Sequence, residues 1–117
     1  MSIPRVFATV CVLLASQLAN AADNAGHFAV LSNGTKSCGT VVFEHEKDDR
    51  GKLTNSIWVG GYLTAINAEV FRGFDISKGT DSDARSLWIY NYCKANPLDS
   101  LFDATYALVK ELKRRAQ

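Results

Sequence analysis

What this chain lacks narrows its chemistry first. It has two histidines, His27 and His45, with no Cys-x-x-Cys and no closely spaced His pair, which argues against a zinc site. No Gly-x-Ser-x-Gly elbow and no phosphate-cradling glycine loop occurs. Asp75, Asp81 and Asp83 lack the alternating spacing, glycine and distal glutamate of a calcium loop. Asp81 more simply caps a helix, and Asp83 complements its dipole. Charge of one sign is missing too: 13 Lys/Arg stand against 12 Asp/Glu, so no basic excess exists to grip nucleic acid or anionic lipid. The one basic run, Lys113-Arg114-Arg115, suits a helix C-terminus. There is no repeat, linker or low-complexity tract, and 117 residues suffice for one domain. No residue set suggests a cofactor or a metal.

What is present begins with a leader. Arg5 precedes an apolar run from Val6 to Leu18, and Ala19-Asn20-Ala21 follows as a small-x-small cleavage signature. That is the pattern of a secretory signal peptide over residues 1–21. The run falls short of the roughly 20 apolar residues that span a bilayer, so no membrane span is expected after cleavage near Ala21-Ala22. Cys11 lies inside the run without a lipoprotein pattern and leaves with it. Cleavage removes one charged residue, Arg5, and leaves 12 basic and 12 acidic residues, formally neutral.

Two cysteines then remain, Cys38 and Cys93. Export to a periplasmic or extracellular setting delivers them to an oxidising compartment, where such a pair bonds. A catalytic thiol is the sharper alternative. Cys38 and His45 make a dyad only if the bridge is absent.

Residues 22–36 read as an extended N-terminal arm ending in a turn at Asn33-Gly34. Asn33-Gly34-Thr35 also matches a glycosylation sequon. Residues 37–47 admit a strand, through Val41, Val42 and Phe43, or a short helix capped by Ser37. The helix is preferred because the rest of the chain is helical. "KDDRGK" (47–52) reads as a charged loop. Residues 55–71 form a helix with a stripe of Trp58, Tyr62, Ile66 and Val70, widened by Val59 and Leu63. Gly61 and Ala65 form a small-x-x-x-small strip, which suits tight core packing or a binding groove. A connector follows over 72–81. The next helix, 82–95, places Leu87, Trp88 and Tyr92 on one face with Ala84 and Ala95. Ile89 and Cys93 lie on the neighbouring face, and Asn91 is a candidate buried polar group. Asn96, Pro97 and Asp99 resemble N-cap, N1 and N3 positions, so a last helix is expected from Pro97 to Arg115. Its stripe is Leu101, Thr105, Leu108 and Leu112, broadened by Phe102 and Val109. The expected domain, residues 37–117, is all-α: a small four-helix orthogonal bundle, three helices long and one short and N-terminal, with one disulfide.

This layout resembles a known family. The leader, the two remaining cysteines, the "WVGGYLTAIN" helix and the "YCKANP" junction (Tyr92 to Pro97) are similar to the HdeA/HdeB superfamily of small periplasmic helical proteins. That resemblance implies a non-enzymatic acid-stress chaperone that binds unfolding protein clients. "GYLTA" (Gly61 to Ala65) also resembles a helix of the immunity proteins that neutralise type VI secreted cell-wall amidases. Those proteins usually carry further cysteines, one just before the Gly-Tyr segment, where Val59-Gly60 stands here.

The residues fit a binding role better than catalysis. His27 falls in the arm, and His45, between Glu44 and Glu46, reads as lying on a solvated face, so neither makes an acid–base site. Nine rings follow residue 57, many for so small a core, and the surplus is expected to form an exposed patch or a homodimer face. The binding residues named from this reading are Trp58, Gly61, Tyr62, Ala65 and Tyr90, with Tyr90 the most exposed. Near pH 2–3 the mature chain moves from neutral to roughly +14 as carboxylates protonate and both histidines charge, which loosens packing by self-repulsion.

Overall fold

The computed structural model describes residues 28–117. The expected leader with Cys11 and its cleavage site, and the first part of the arm with His27, lie outside them. A 3-10 turn, Ser32–Thr35, precedes four helices: α1 (Cys38–Lys47), α2 (Asp49–Glu69), α3 (Ser82–Ala95) and α4 (Leu101–Ala116). The described residues contain no strand, and a single antiparallel bridge joins Ser37 to Ser100. The fold is the expected all-α bundle of three long helices and one short one. Among the described residues, no helix is long and apolar enough to cross a membrane.

Each helix starts on an oxygen-bearing cap that accepts from otherwise unpaired N–H groups. Ser37 Oγ accepts from Thr40 N at 3.2 Å, which resolves residues 38–47 as helix rather than strand. Asp48 Oδ1 accepts from Arg50 N and Gly51 N, both at 3.1 Å. The charged stretch read as a loop is therefore mostly a cap and the first turn of α2. Asp81 Oδ1 accepts from Ala84 N at 2.7 Å and starts α3 where expected.

The start of α4 corrects the sequence reading. The helix begins at Leu101 with a Ser100/Asp103 capping box, not at Pro97. The reason lies in α1. Cys38 N donates to Asp99 O at 2.7 Å and Gly39 N to Pro97 O at 3.1 Å, while Leu101 N returns a bond to Lys36 O at 2.9 Å. The carbonyls that a helix from Pro97 would use internally serve the exposed N-terminus of α1 instead. Asn96 ends α3, its N–H donating to Tyr92 O at 2.9 Å, and Asp99 Oδ2 accepts from the Tyr92 hydroxyl at 2.6 Å.

The core gathers Val41, Val59, Leu63, Ile89, Leu101 and Leu108 around the cystine, with Ile76 inserted from the α2–α3 connector. Cys38 and Cys93 are bonded, with Cα atoms 4.7 Å apart, and both are fully buried. The bridge closes a loop over a sequence separation of 55, worth about 4 kcal/mol in the chain-entropy model. The stripe expected on α4 is the one buried. On α2 the buried centre shifts to Val59 and Leu63, with Trp58, Tyr62 and Ile66 at its edge and Val70 exposed. On α3, Ile89 and Cys93 take the core. Trp88 and Tyr92 of the adjoining face pack half-buried against it, while Leu87, Ala84 and Ala95 are exposed. Asn91, expected as a buried polar group, is exposed, because the disulfide turns the Cys93 face inward.

Candidate functional site

The most open apolar concavity among the larger spaces is a cleft of about 490 Å³, walled by the arm, α2 and α4. Its floor is aromatic. Trp58 and Tyr62, four apart on α2, stack with ring centres 5.7 Å apart. Phe102 and Tyr106, four apart on α4, stack at 6.2 Å. Tyr62 meets Phe102 edge-on at 5.8 Å, tying the two helices together. The i, i+4 spacing puts each pair on one helix face, and edge or offset packing suits the ring quadrupoles. Burial, reinforced by nearby Tyr106, raises the Tyr62 hydroxyl above its usual value. Lys110 Nζ lies 4.5 Å from the centre of the Tyr106 ring, a cation–π contact.

The third wall is the arm. Phe28 sits 5.3 Å from the Phe102 ring, and the Trp58 indole N–H donates to Leu31 O at 3.1 Å. Phe28 is nevertheless 72% exposed and Leu31 71%. Beyond Leu31 the chain turns sharply at Ser32, whose φ of 55° lies in the left-handed region, where a non-glycine residue is held at a cost of about 1 kcal/mol or more. Gly34 then passes under Trp58. A Cβ there would lie 2.6 Å from Val30 Cγ1 and 2.8 Å from Trp58 Cη2, so only glycine fits.

A polar network fastens the base of the arm. Asn55, 6% exposed, accepts from Asn33 Nδ2 at 3.0 Å and from Lys36 Nζ at 3.2 Å. Its own amide donates to Glu44 Oε2 at 2.7 Å, and Lys36 pairs with Glu44 at 2.9 Å. The Asn33 amide of the sequon is thereby engaged in a half-buried hydrogen bond.

The five residues named from sequence do not converge. Trp58 and Tyr62 line the cleft. Gly61 and Ala65 lie on the outward face of α2, where a Cβ on Gly61 would meet nothing within 4 Å. The strip therefore packs no core. Tyr90 lies elsewhere, only partly exposed. Its ring stacks on His45 at 4.2 Å, and its hydroxyl donates to Glu46 at 2.6 Å, which raises its pKa. His45 is correspondingly not on a fully solvated face. Partial burial, aided by Lys52 and opposed by Glu46, lowers its pKa. The space beside it holds only about 20 Å³, room for one water. Cys38 is 0% exposed and bonded, so it forms no dyad with His45.

Sequence reading missed Phe28, Phe102 and Tyr106 as cleft residues, and Asn55 as a buried hub. The paired i, i+4 aromatics on two helices were the available signal. Apart from the cleft, the stretch of α2 from Leu53 to Ala68 holds no charged residue. Comparison with protein-family models, with curated proteins and with solved structures finds no match to this chain.

Proposed function

We propose that this protein is an exported, non-enzymatic binding protein that holds apolar segments of unfolding polypeptides under acid, as the HdeA/HdeB-like chaperones do. The observation that carries the reading is the aromatic cleft, a concavity with rings left partly exposed on a small bundle. Such surface is costly unless it serves contact with another molecule.

The placement of the carboxylates supports the acid half. Asp48 and Asp81 cap two helices, and Asp103 completes the capping box of a third. Glu44 holds Lys36 at the arm, and Glu46 and Asp99 accept from Tyr90 and Tyr92. An ionised carboxylate makes each of these contacts stronger than a neutral acid would. Two further carboxylates are held below their ordinary range. Hydrogen bonds from Ser77 and Asn67 lower Asp75, and Arg114 with Arg115 holds Glu111 down to about 2. With folded values below unfolded ones, their contributions are present above the ordinary carboxylate range and are lost as pH falls through the folded value. The buried disulfide keeps the loosened chain tethered.

The test is aggregation of an acid-sensitive client at pH 2–3, with and without the mature protein. Light scattering should fall and hydrophobic-dye binding to the protein should rise below about pH 3. Client aggregation unchanged by the protein defeats the reading.

A second reading has an observation of its own. Leu53, Ile57, Gly61 and Ala65 expose an uncharged strip on α2 that suits contact with a folded partner, as in immunity to a secreted cell-wall amidase. Submicromolar binding to one such amidase at neutral pH favours it.

A further inference from the structure

We infer that residues 28–31 act as a displaceable cover on the aromatic floor that α2 and α4 form, and that the floor's external ligand is an extended, uncharged apolar peptide segment that takes their place. The inference rests on the binding reading above and assigns its site and its gate. Three observations carry it.

First, the cleft already receives an extended backbone. Leu31 has φ −113° and ψ 155°, and its carbonyl takes the Trp58 indole N–H at 3.1 Å. An indole N–H over an aromatic floor, offered to a main-chain carbonyl, recognises extended chain without regard to sequence. Side chains choose the segment: the Phe28 ring lies 5.3 Å from Phe102.

Second, the occupant is weakly held. Phe28 and Leu31 keep most of their surface in water. Within residues 28–31 the Leu31 carbonyl is the one group with a hydrogen bond into α2 or α4 among the described residues. The firm attachment begins after the turn, with Gly34 beneath Trp58 and Asn33 bonded to Asn55. Ser32, with its left-handed φ of 55°, stands between the two as the hinge.

Third, every residue lining the cleft is uncharged. An uncharged segment desolvates no ion there, whereas a charged one is penalised.

The probe is a fluorescein-labelled peptide of residues 28–32 (FAVLS), with a control carrying Asp for Phe and Leu, read by anisotropy at neutral pH against the full mature protein. Phe28→Gly/Leu31→Gly, which strips the cover of its two exposed apolar side chains, should bind the probe roughly tenfold more tightly than wild type, because the self-bound fraction no longer competes. On that background Tyr106→Ala and Trp58→Phe should each lose roughly tenfold, as aromatic anchors do. Circular dichroism confirms that each variant is folded. Equal affinity of wild type and Phe28→Gly/Leu31→Gly, affinity untouched by Tyr106→Ala and Trp58→Phe, binding of the Asp control as tight as the probe, or no binding by any variant overturns the inference. The acid aggregation assay on the same variants separates it from the parent reading. Client protection that survives Tyr106→Ala and Trp58→Phe sinks the cleft and spares the chaperone. Peptide binding without client protection does the reverse.

Discussion

Around the cystine, Cys38, Cys93 and Leu101 have no exposed surface at all; at the cleft, Phe28 and Leu31 expose most of theirs and Tyr106 about half. Both regions use apolar side chains from α4 and from the segment before or at α1. They differ in what closes them. The first is shut by a covalent bond and by backbone hydrogen bonds exchanged between the starts of α1 and α4. The second is covered by four residues tied down by one indole. A fold of this size needs the first kind of closure to remain stable, which leaves it able to keep the second kind loose.

The contrast is sharpest when the staple is cut. Cys38→Ala/Cys93→Ala, or reduction, should cost about 4 kcal/mol and lower the melting temperature by about 15 °C or more. A calorimetric shift of only a few degrees would mean that the stapled region is not the stability centre. Leu101→Ala should follow, at about 3 kcal/mol from lost burial and the cavity left behind, measured by denaturant unfolding. Gly34→Ala, which sets a methyl against Trp58 and Val30, should cost about 1–2 kcal/mol and alter Trp58 fluorescence as the arm lifts. Tyr106→Ala comes last, at about 1 kcal/mol or less, since the ring is 49% exposed. A loss matching that of Leu101→Ala would show the cleft to be core after all.

A titration probes the boundary between the two regions. The Tyr92 hydroxyl donates to Asp99, and that bond pushes its pKa up to about 12. Its folded value stands above the unfolded value of about 10, so the bond's contribution is complete below pH 10 and is lost as pH rises through about 12. Tyr62 and Tyr90 are raised as well, and ultraviolet difference spectra should show the latest of these ionisations lost in Tyr92→Phe.

Much of the bundle was legible in the residues themselves. Asp81 marked the start of α3, Ser37 suited the cap of α1, and the expectation of export implied a Cys38–Cys93 bond. The misreadings share a physical cause. Asn96-Pro97 has good local capping chemistry, but Pro97 and Asp99 lend their carbonyls to α1, a distant partner that local pattern does not reveal. Asp48 looked like part of a charged loop because "KDDRGK" carries the first turn of α2 on polar residues. Leu87 and Ile89 are equally apolar, and the pairing of Cys93 with Cys38 decides which face turns inward. Of the candidate site, Trp58 and Tyr62 were found. Phe28 was not, because its role depends on an arm folding back onto two helices.

The hydrogen bonds between the Lys36–Gly39 and Pro97–Leu101 segments carry a consequence for biosynthesis. They join stretches about sixty residues apart, so they form only after a long loop has closed. α1 and α2 can pair as sequence neighbours, while the leading N–H groups of α1 wait for the Pro97 and Asp99 carbonyls. Closure of the bundle therefore comes late in the chain, and a chain halted before Pro97 would leave its first helix without those acceptors.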